Sequence, residues 1–239
     1  MKVIRFEVEG VFNSFKVSFF RTYHKSLLGP PKTTVIGMLC NVAKKMQKEF
    51  FDILNEEKIN LSIIINNIEG KVKDLWNYKT LDKNNRGKNV LQRDKLYKAN
   101  YTIYLNIANE SLFNEIYNAL KEPRNIPSLG MDDEMVLLKN IDIVTLEKNQ
   151  TNIIDSVFLD KNFNYKVKIK DPSKPIMLPT FHQVPTKFNA FDKKGKFISR
   201  EPIKEAVFNQ VEFINCEVEF FSEIKSFIDK EKNNRIVFY

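Results

Sequence analysis

Histidine and cysteine are scarce in this 239-residue chain: His24 and His182, Cys40 and Cys216, and no more. The cysteines stand in no ligand-like spacing, with no third or fourth thiol and no paired histidine beside them. That excludes a structural zinc site, and both read as ordinary buried thiols. Long apolar runs are missing too. Leu61-Ser62-Ile63-Ile64-Ile65 ends at Asn66-Asn67, far short of the roughly twenty residues a bilayer crossing needs. Met1 to Glu7 interrupts every apolar stretch with a charge, so it cannot serve as a signal-peptide core. We expect a cytoplasmic protein without membrane contact.

What is present is positive charge and enough apolar residues for a sizeable core. At 43% hydrophobic and 28% charged residues the chain reads as soluble and globular, one large domain or two small ones. The net charge of +8 is unevenly spread. Residues 1–48 carry nine Lys or Arg against Glu7 and Glu9, and residues 71–98 carry nine against Asp74, Asp82 and Asp94. The two segments stand at +7 and +6, which leaves the rest at −5. Such concentration is the footprint of a polyanion contact.

Periodicity gives the organisation. Ile4, Phe6 and Val8 alternate with Arg5, Glu7 and Glu9, as in a half-buried strand. Val35, Ile36, Leu39, Val42, Ala43 and Met46 recur at helical spacing and predict one amphipathic helix. Leu61 to Ile68 and Tyr101 to Ile107 read as strands with the second basic segment between them. Asn109 or Ser111 caps a helix bearing Leu112, Ile116 and Leu120, which Pro123 stops. Met135 to Leu146 supplies a fourth strand. The order β-α-β-β-α-β is the split arrangement of ferredoxin-like and RNA-recognition-motif domains, an α+β fold over residues 1–148. Residues 149–239 turn to short strands and Pro-rich connections, with strands near 211 to 221 and at 235 to 239: a β-rich C-terminal extension. The exposed aromatics Phe188 and Phe191 make its surface a place for protein contacts.

The stretch Ser26-Leu-Leu-Gly-Pro-Pro-Lys-Thr-Thr-Val-Ile-Gly37 sits at a helix entrance. A P-loop is excluded, because Pro31 occupies the place of the glycine before the lysine and has no N–H to donate. Two readings stay open. Pro30 and Pro31 rigidify the turn and start a core helix; or the free amides, the Thr33 and Thr34 hydroxyls and the Lys32 ammonium meet a phosphate. Arg21, Tyr23, His24 and Lys25 precede the entrance and can line the same surface, while Phe19 and Phe20 read as core. His24 can donate to a phosphate, stack on a base or cover the turn. Asp132-Asp133-Glu134 reads as a solvated acidic loop rather than a metal site.

"MKVIRFEVEG", the loop "FNSFKVSFFRTYHKSLLGPPKTTVIGML" and the later "IPSLGMDDEMVL" together resemble the CRISPR-associated Cas-five family, the RAMP-type subunit at the foot of type I Cascade complexes, and within it a type I-B-like branch. The Pro-Pro-Lys-Thr-Thr-x-x-Gly signature at Pro30 to Gly37 carries most of the likeness. Leu129-Gly130 carries less, since Met131-Asp132 replaces the family's usual Arg-Ser. The resemblance covers the N-terminal part; over the last ninety or so residues it rests on length and position.

The resemblance implies a subunit that holds the 5′ handle of the crRNA, needs no cofactor or metal, contacts the Cascade backbone and large subunits, and meets target DNA only through the complex. It also implies a basic β-hairpin thumb at about 71–98, containing Lys79, Lys83, Arg86, Lys88, Arg93 and Lys95. Trp76 and Tyr78 would stand at its base and Gly87 at its tip. Cations there bind phosphate and aromatic faces stack on bases. One branch of the family instead cleaves precursor crRNA with a tyrosine, lysine and histidine cluster. Metal-independent cleavage needs a base for the 2′-hydroxyl and an acid for the 5′-oxygen, roles histidine fills best. No histidine lies between residues 25 and 181, and His182 among prolines reads as structural. We therefore expect no catalytic residue, with a metal-independent endoribonuclease as the alternative.

Overall fold

The computed structural model describes all residues except 18–22, 80–86, 160–163 and 193, and only the backbone of residues 88, 158 and 159. Strand β1 (Lys2–Asn13) buries Ile4, Phe6 and Val8 completely. It is the second-from-edge strand of a sheet ordered β2-β3-β1-β4, with β2 (Ile59–Lys79), β3 (Lys88–Ile107) and β4 (Val136–Thr145) each antiparallel to its neighbour. Among the described residues the α-helices α1 (Lys32–Val42), α2 (Gln47–Glu56) and α3 (Glu110–Lys121) lie between the strands of this sheet in sequence. α1 and α3 bury Val35, Ile36, Leu39, Leu112, Ile116 and Leu120 in the same core as Ile4, Phe6 and Val8. The Asn109 side chain caps α3 by accepting the Leu112 amide at 3.2 Å, and the helix ends two residues before Pro123.

One predicted helix is two. The spacing from Val35 to Met46 suggested a single helix, but Lys44 takes the left-handed region (φ 57°) and ends α1. Met46, expected on the apolar face, is exposed and starts α2, where its amide donates to the Glu49 carboxylate at 2.7 Å.

The remaining chain is β-rich: β5 (Glu147–Ile154), β6 (Phe158–Leu159), β7 (Tyr165–Ile169), β8 (Met177–Pro185), β9 (Phe188–Phe191), β10 (Phe197–Pro202), β11 (Val207–Ile214), β12 (Cys216–Asp229) and β13 (Asn234–Ile236). They form a β6-β11-β8 sheet, a β13-β12-β5 sheet with β7 also on β12, and a β9-β10 hairpin. The strand expected over 211 to 221 is broken at Asn215, whose φ of 54° turns β11 into β12. Phe188 and Phe191, expected exposed, are half-buried: Phe188 packs on the main core and the Phe191 ring lies 5.3 Å from that of Phe51 on α2. Cys40 and Cys216 are free and buried, as expected, and burial pushes the Cys40 thiol up to about 12.

These strands are fused to the first sheet. Val157, Val184 and Ile214 belong to the main core, and Tyr239 and Leu61 exchange backbone hydrogen bonds of 3.0 Å along the edge of β2, so part of that edge presents no free backbone. On the other sheet face Arg5 is 2% exposed, not solvated as its place in the alternation suggested, because the β12–β13 turn covers it. Its guanidinium reaches Asp229 and Glu231, both at 2.9 Å.

Candidate nucleic-acid interface

β2 and β3 stay paired far beyond the sheet, out to Lys79 opposite Lys88, and form a hairpin arm. Strand alternation puts Asp74, Trp76 and Tyr78 on one face of it, across from Arg93 and Leu91. The segment before α1 is laid against this arm: the His24 amide donates to the Gln92 carbonyl at 2.9 Å, and the Asp94 amide to the His24 carbonyl at 2.8 Å. This register sets the His24 ring 6.2 Å from Trp76, which in turn lies 6.0 Å from Tyr78. The Arg93 guanidinium sits 5.5 Å from the Trp76 ring centroid. Trp76 is still 39% exposed, so the ledge can accept another aromatic plane, a nucleobase being the obvious one. It stands partway along the arm rather than at its base, three register pairs from Lys79.

Beside the ledge opens a cleft of about 330 Å³. His24, Lys25, Thr33 and Thr34 line it together with Arg93, Gln183 and Arg200. The amides of Thr34 and Val35 fold back onto the Pro31 carbonyl (2.9 and 3.1 Å), which leaves those of Lys32 and Thr33 as the outward donors of α1. Among the described residues no side chain caps this helix. Burial, and then the charges of Lys16 and Arg93, hold the His24 imidazole below its usual range, so it is neutral at pH 7.

Three expected RNA cations are engaged elsewhere. The Lys32 ammonium donates to the Ile59 carbonyl, away from the cleft, and burial lowers it to about 8 with the charge of Lys187 adding. Arg93 is 6% exposed and donates to Asp74 at 2.7 Å. Lys95 stands 3.7 Å from Glu134 and 3.8 Å from Asp74. Glu134 corrects a further expectation. Instead of belonging to a solvated acidic loop it is 2% exposed and accepts the amides of Ser14 (2.6 Å) and Met131 (3.0 Å) and the Ser14 hydroxyl (2.6 Å). The loop it ties includes Gly130, at φ 119°, where a Cβ would fall 2.6 Å from the Ser14 carbonyl oxygen; only glycine fits. Lys79 is exposed at the end of β2. Arg21, Lys83 and Arg86, like Phe19 and Phe20, lie outside the described residues, as does the Lys88 side chain; Gly87 directly precedes β3.

The sequence profile of the family described as CRISPR-associated protein (Cas_Cas5) matches residues 3–158. The chain belongs to this family. The match to the Cas5 family takes in β1, the entrance to α1, the hairpin arm and the Gly130 loop. No curated protein matches the sequence. Among solved structures, a chain of a "CRISPR RNA-guided surveillance complex" is 16% identical with a TM-score of 0.47, covering 91% of both chains. A chain of a type III-B Cmr-beta complex bound to cognate target RNA and AMPPnP is 13% identical with a TM-score of 0.46, covering 92% of this chain and 86% of that one. A "Cas protein" crystal structure, 17% identical with a TM-score of 0.38, aligns over 56% of this chain, which spans 58% of its length.

Two cleft residues of this Cas5-family chain, Gln183 on β8 and Arg200 on β10, lie beyond the family match. Gln183 falls in no basic run or motif, while Arg200 ends a short basic stretch, Lys193 to Arg200, a signal that could have marked it. Arg200 is placed by stacking, its guanidinium 5.7 Å from the Phe50 ring and 5.9 Å from Phe51. Among the described residues no group of His, Cys, Asp and Glu could hold a metal ion, and no helix is long and apolar enough to cross a membrane.

Proposed function

We propose that the chain is a non-catalytic crRNA-binding subunit of a type I CRISPR effector complex, with the 5′ handle lying in the cleft and along the Trp76 ledge. The strand order and helix placement read as a ferredoxin-like RNA-recognition domain over residues 1–148, with the thumb drawn from β2 and β3 and the β-rich extension over 149–239 closing one wall. The observation that carries the reading is convergence. His24, Lys25, Thr33, Thr34 and Arg200 come from three separated stretches of sequence and line one cleft. Cations, hydroxyls and outward amides serve phosphates, and the ledge serves a base. Contacts with the backbone and large subunits, and with target DNA through the complex, belong to the same reading.

Support for a binding rather than a cutting role comes from the imidazoles. His24 is the histidine of the cleft, while His182 faces Glu212, 3.6 Å away; general acid–base cleavage asks for two groups at one scissile bond. Crosslinking with labelled crRNA, mapped by mass spectrometry, should place handle nucleotides on residues 24–34, Trp76 and Arg200. Crosslinks confined to other surfaces would sink the cleft assignment. The pure, metal-free protein should leave its repeat RNA intact, and site-specific cleavage abolished by His24→Ala would replace this reading with the endoribonuclease one.

A further inference from the structure

The loop that delivers α1 to the cleft is held by a residue of the other half of the chain. Glu212, on β11, is 1% exposed, and its Oε1 accepts the Leu28 amide at 2.8 Å and the Gly29 amide at 3.0 Å. Gln210 Nε2 donates to the same oxygen at 3.1 Å. From the opposite side the Tyr101 hydroxyl of β3 donates to the Leu28 carbonyl at 2.7 Å. Leu28 and Gly29 are thus fixed through their backbone immediately before Pro30 and Pro31, whose restricted φ passes that fix on to Thr33 and Thr34. Gly29 suits the packing, since a Cβ there would stand 3.2 Å from Gln210 Nε2.

We propose that Glu212 is the positioning residue of the helix entrance: by accepting the Leu28 and Gly29 amides it holds Thr33, Thr34 and the first amides of α1 in the geometry that receives the RNA. This rests on the handle-binding reading above. It gives the β-rich extension a role inside the site beyond walling it. A buried carboxylate is a costly way to fill this position, since burial alone drives Glu212 up to about 7 against the lowering effect of the two amides and of Lys71 and Lys25. The other groups facing it are His182 on β8, Tyr101 on β3 and Tyr239 at the chain end. Two consecutive backbone donors are what an oxygen at 212 satisfies and an apolar side chain leaves orphaned.

The test compares Glu212→Gln, which keeps an acceptor oxygen, with Glu212→Met, which keeps most of the volume and no oxygen. Handle-RNA affinity is measured in the full chain beside amide hydrogen exchange at Leu28 and Gly29. The Gln variant should bind within about threefold of wild type and keep both amides protected. The Met variant should lose about tenfold or more, with faster exchange at those two amides while β1 and β3 stay protected. Equal affinity in both variants overturns the proposal. So does free exchange at Leu28 and Gly29 in the wild-type protein, a measurement that decides the clamp even where Glu212→Met does not fold. A wild-type protein without handle affinity would overturn the RNA reading instead, with exchange still reporting the clamp separately.

Discussion

A carboxylate as deep as Glu212 makes stability depend on pH in a stated direction. Its folded pKa is raised from the ordinary 4.5 to about 7, so between those values the folded chain holds the proton more tightly than the unfolded one. Its contribution is full below about 4.5, falls as pH rises to about 7 and is constant above, a loss on the order of 3 kcal/mol. His182 runs the other way. Burial and the charges of Lys25 and Lys71 hold it below 6.5, so its contribution is lost as pH falls through that depressed value. The difference between wild type and Glu212→Gln reports Glu212 together with its coupling to His182, 3.6 Å away: across pH 5 to 8, wild-type melting temperature should decline relative to the variant, and parallel curves would refute the assignment. Lys32 carries a second residue-scale prediction. Lys32→Ala removes the donor of the buried Ile59 carbonyl and should lower stability by about 1–2 kcal/mol in urea unfolding, with RNA affinity within about twofold of wild type. A large affinity loss at unchanged stability would return Lys32 to the RNA site. The sequence placed Lys32 at a helix entrance, where α1 does begin, but which way a side chain leaves that entrance is settled by neighbours such as Ile59, distant in sequence.

At the scale of elements, the hairpin arm has two chemically different faces. Asp74, Trp76 and Tyr78 alternate with Lys71, Lys73 and Lys79, and all three lysines are exposed. Salt titration separates them. Trp76→Ala should weaken handle binding by about 1–3 kcal/mol, the worth of one stacked base, with the salt slope nearly unchanged. Lys73→Ala combined with Lys79→Ala should flatten the slope by about 1.4 units if each neutralises one single-strand phosphate, and should leave the melting temperature alone. An unchanged slope would remove RNA backbone from that face. The arm was expected through the family resemblance; the basic charge of residues 71–98 marked the segment but not its strand pairing. The break between α1 and α2 was not legible, because Lys44 in the left-handed region gives no signal in apolar spacing. Asn215 does the same between β11 and β12, and there the residue type, tolerant of that region, was the available hint.

At the scale of the whole molecule the change near residue 148, from the β-α-β-β-α-β order to short strands and Pro-rich connections, suggested two parts, and the packing joins them. A compositional shift records surface and charge; it does not record that Val157, Val184 and Ile214 complete the core of the first sheet, or that Gln183 and Arg200 complete the cleft. Arg5 tests the join most directly. It belongs to the first strand, yet its guanidinium is paired with Asp229, itself buried and also receiving the Tyr104 hydroxyl at 2.8 Å. Arg5→Ala strands the Asp229 carboxylate among buried groups and should cost about 3–5 kcal/mol, the penalty of breaking a buried pair from one side. Because one core spans both halves, the loss should appear as a lower melting temperature for a single cooperative transition, with calorimetric and van't Hoff enthalpies still equal. Two resolved transitions, with β1–β4 melting apart from β11–β13, would show that the halves fold independently; the cleft they share would then form only by docking.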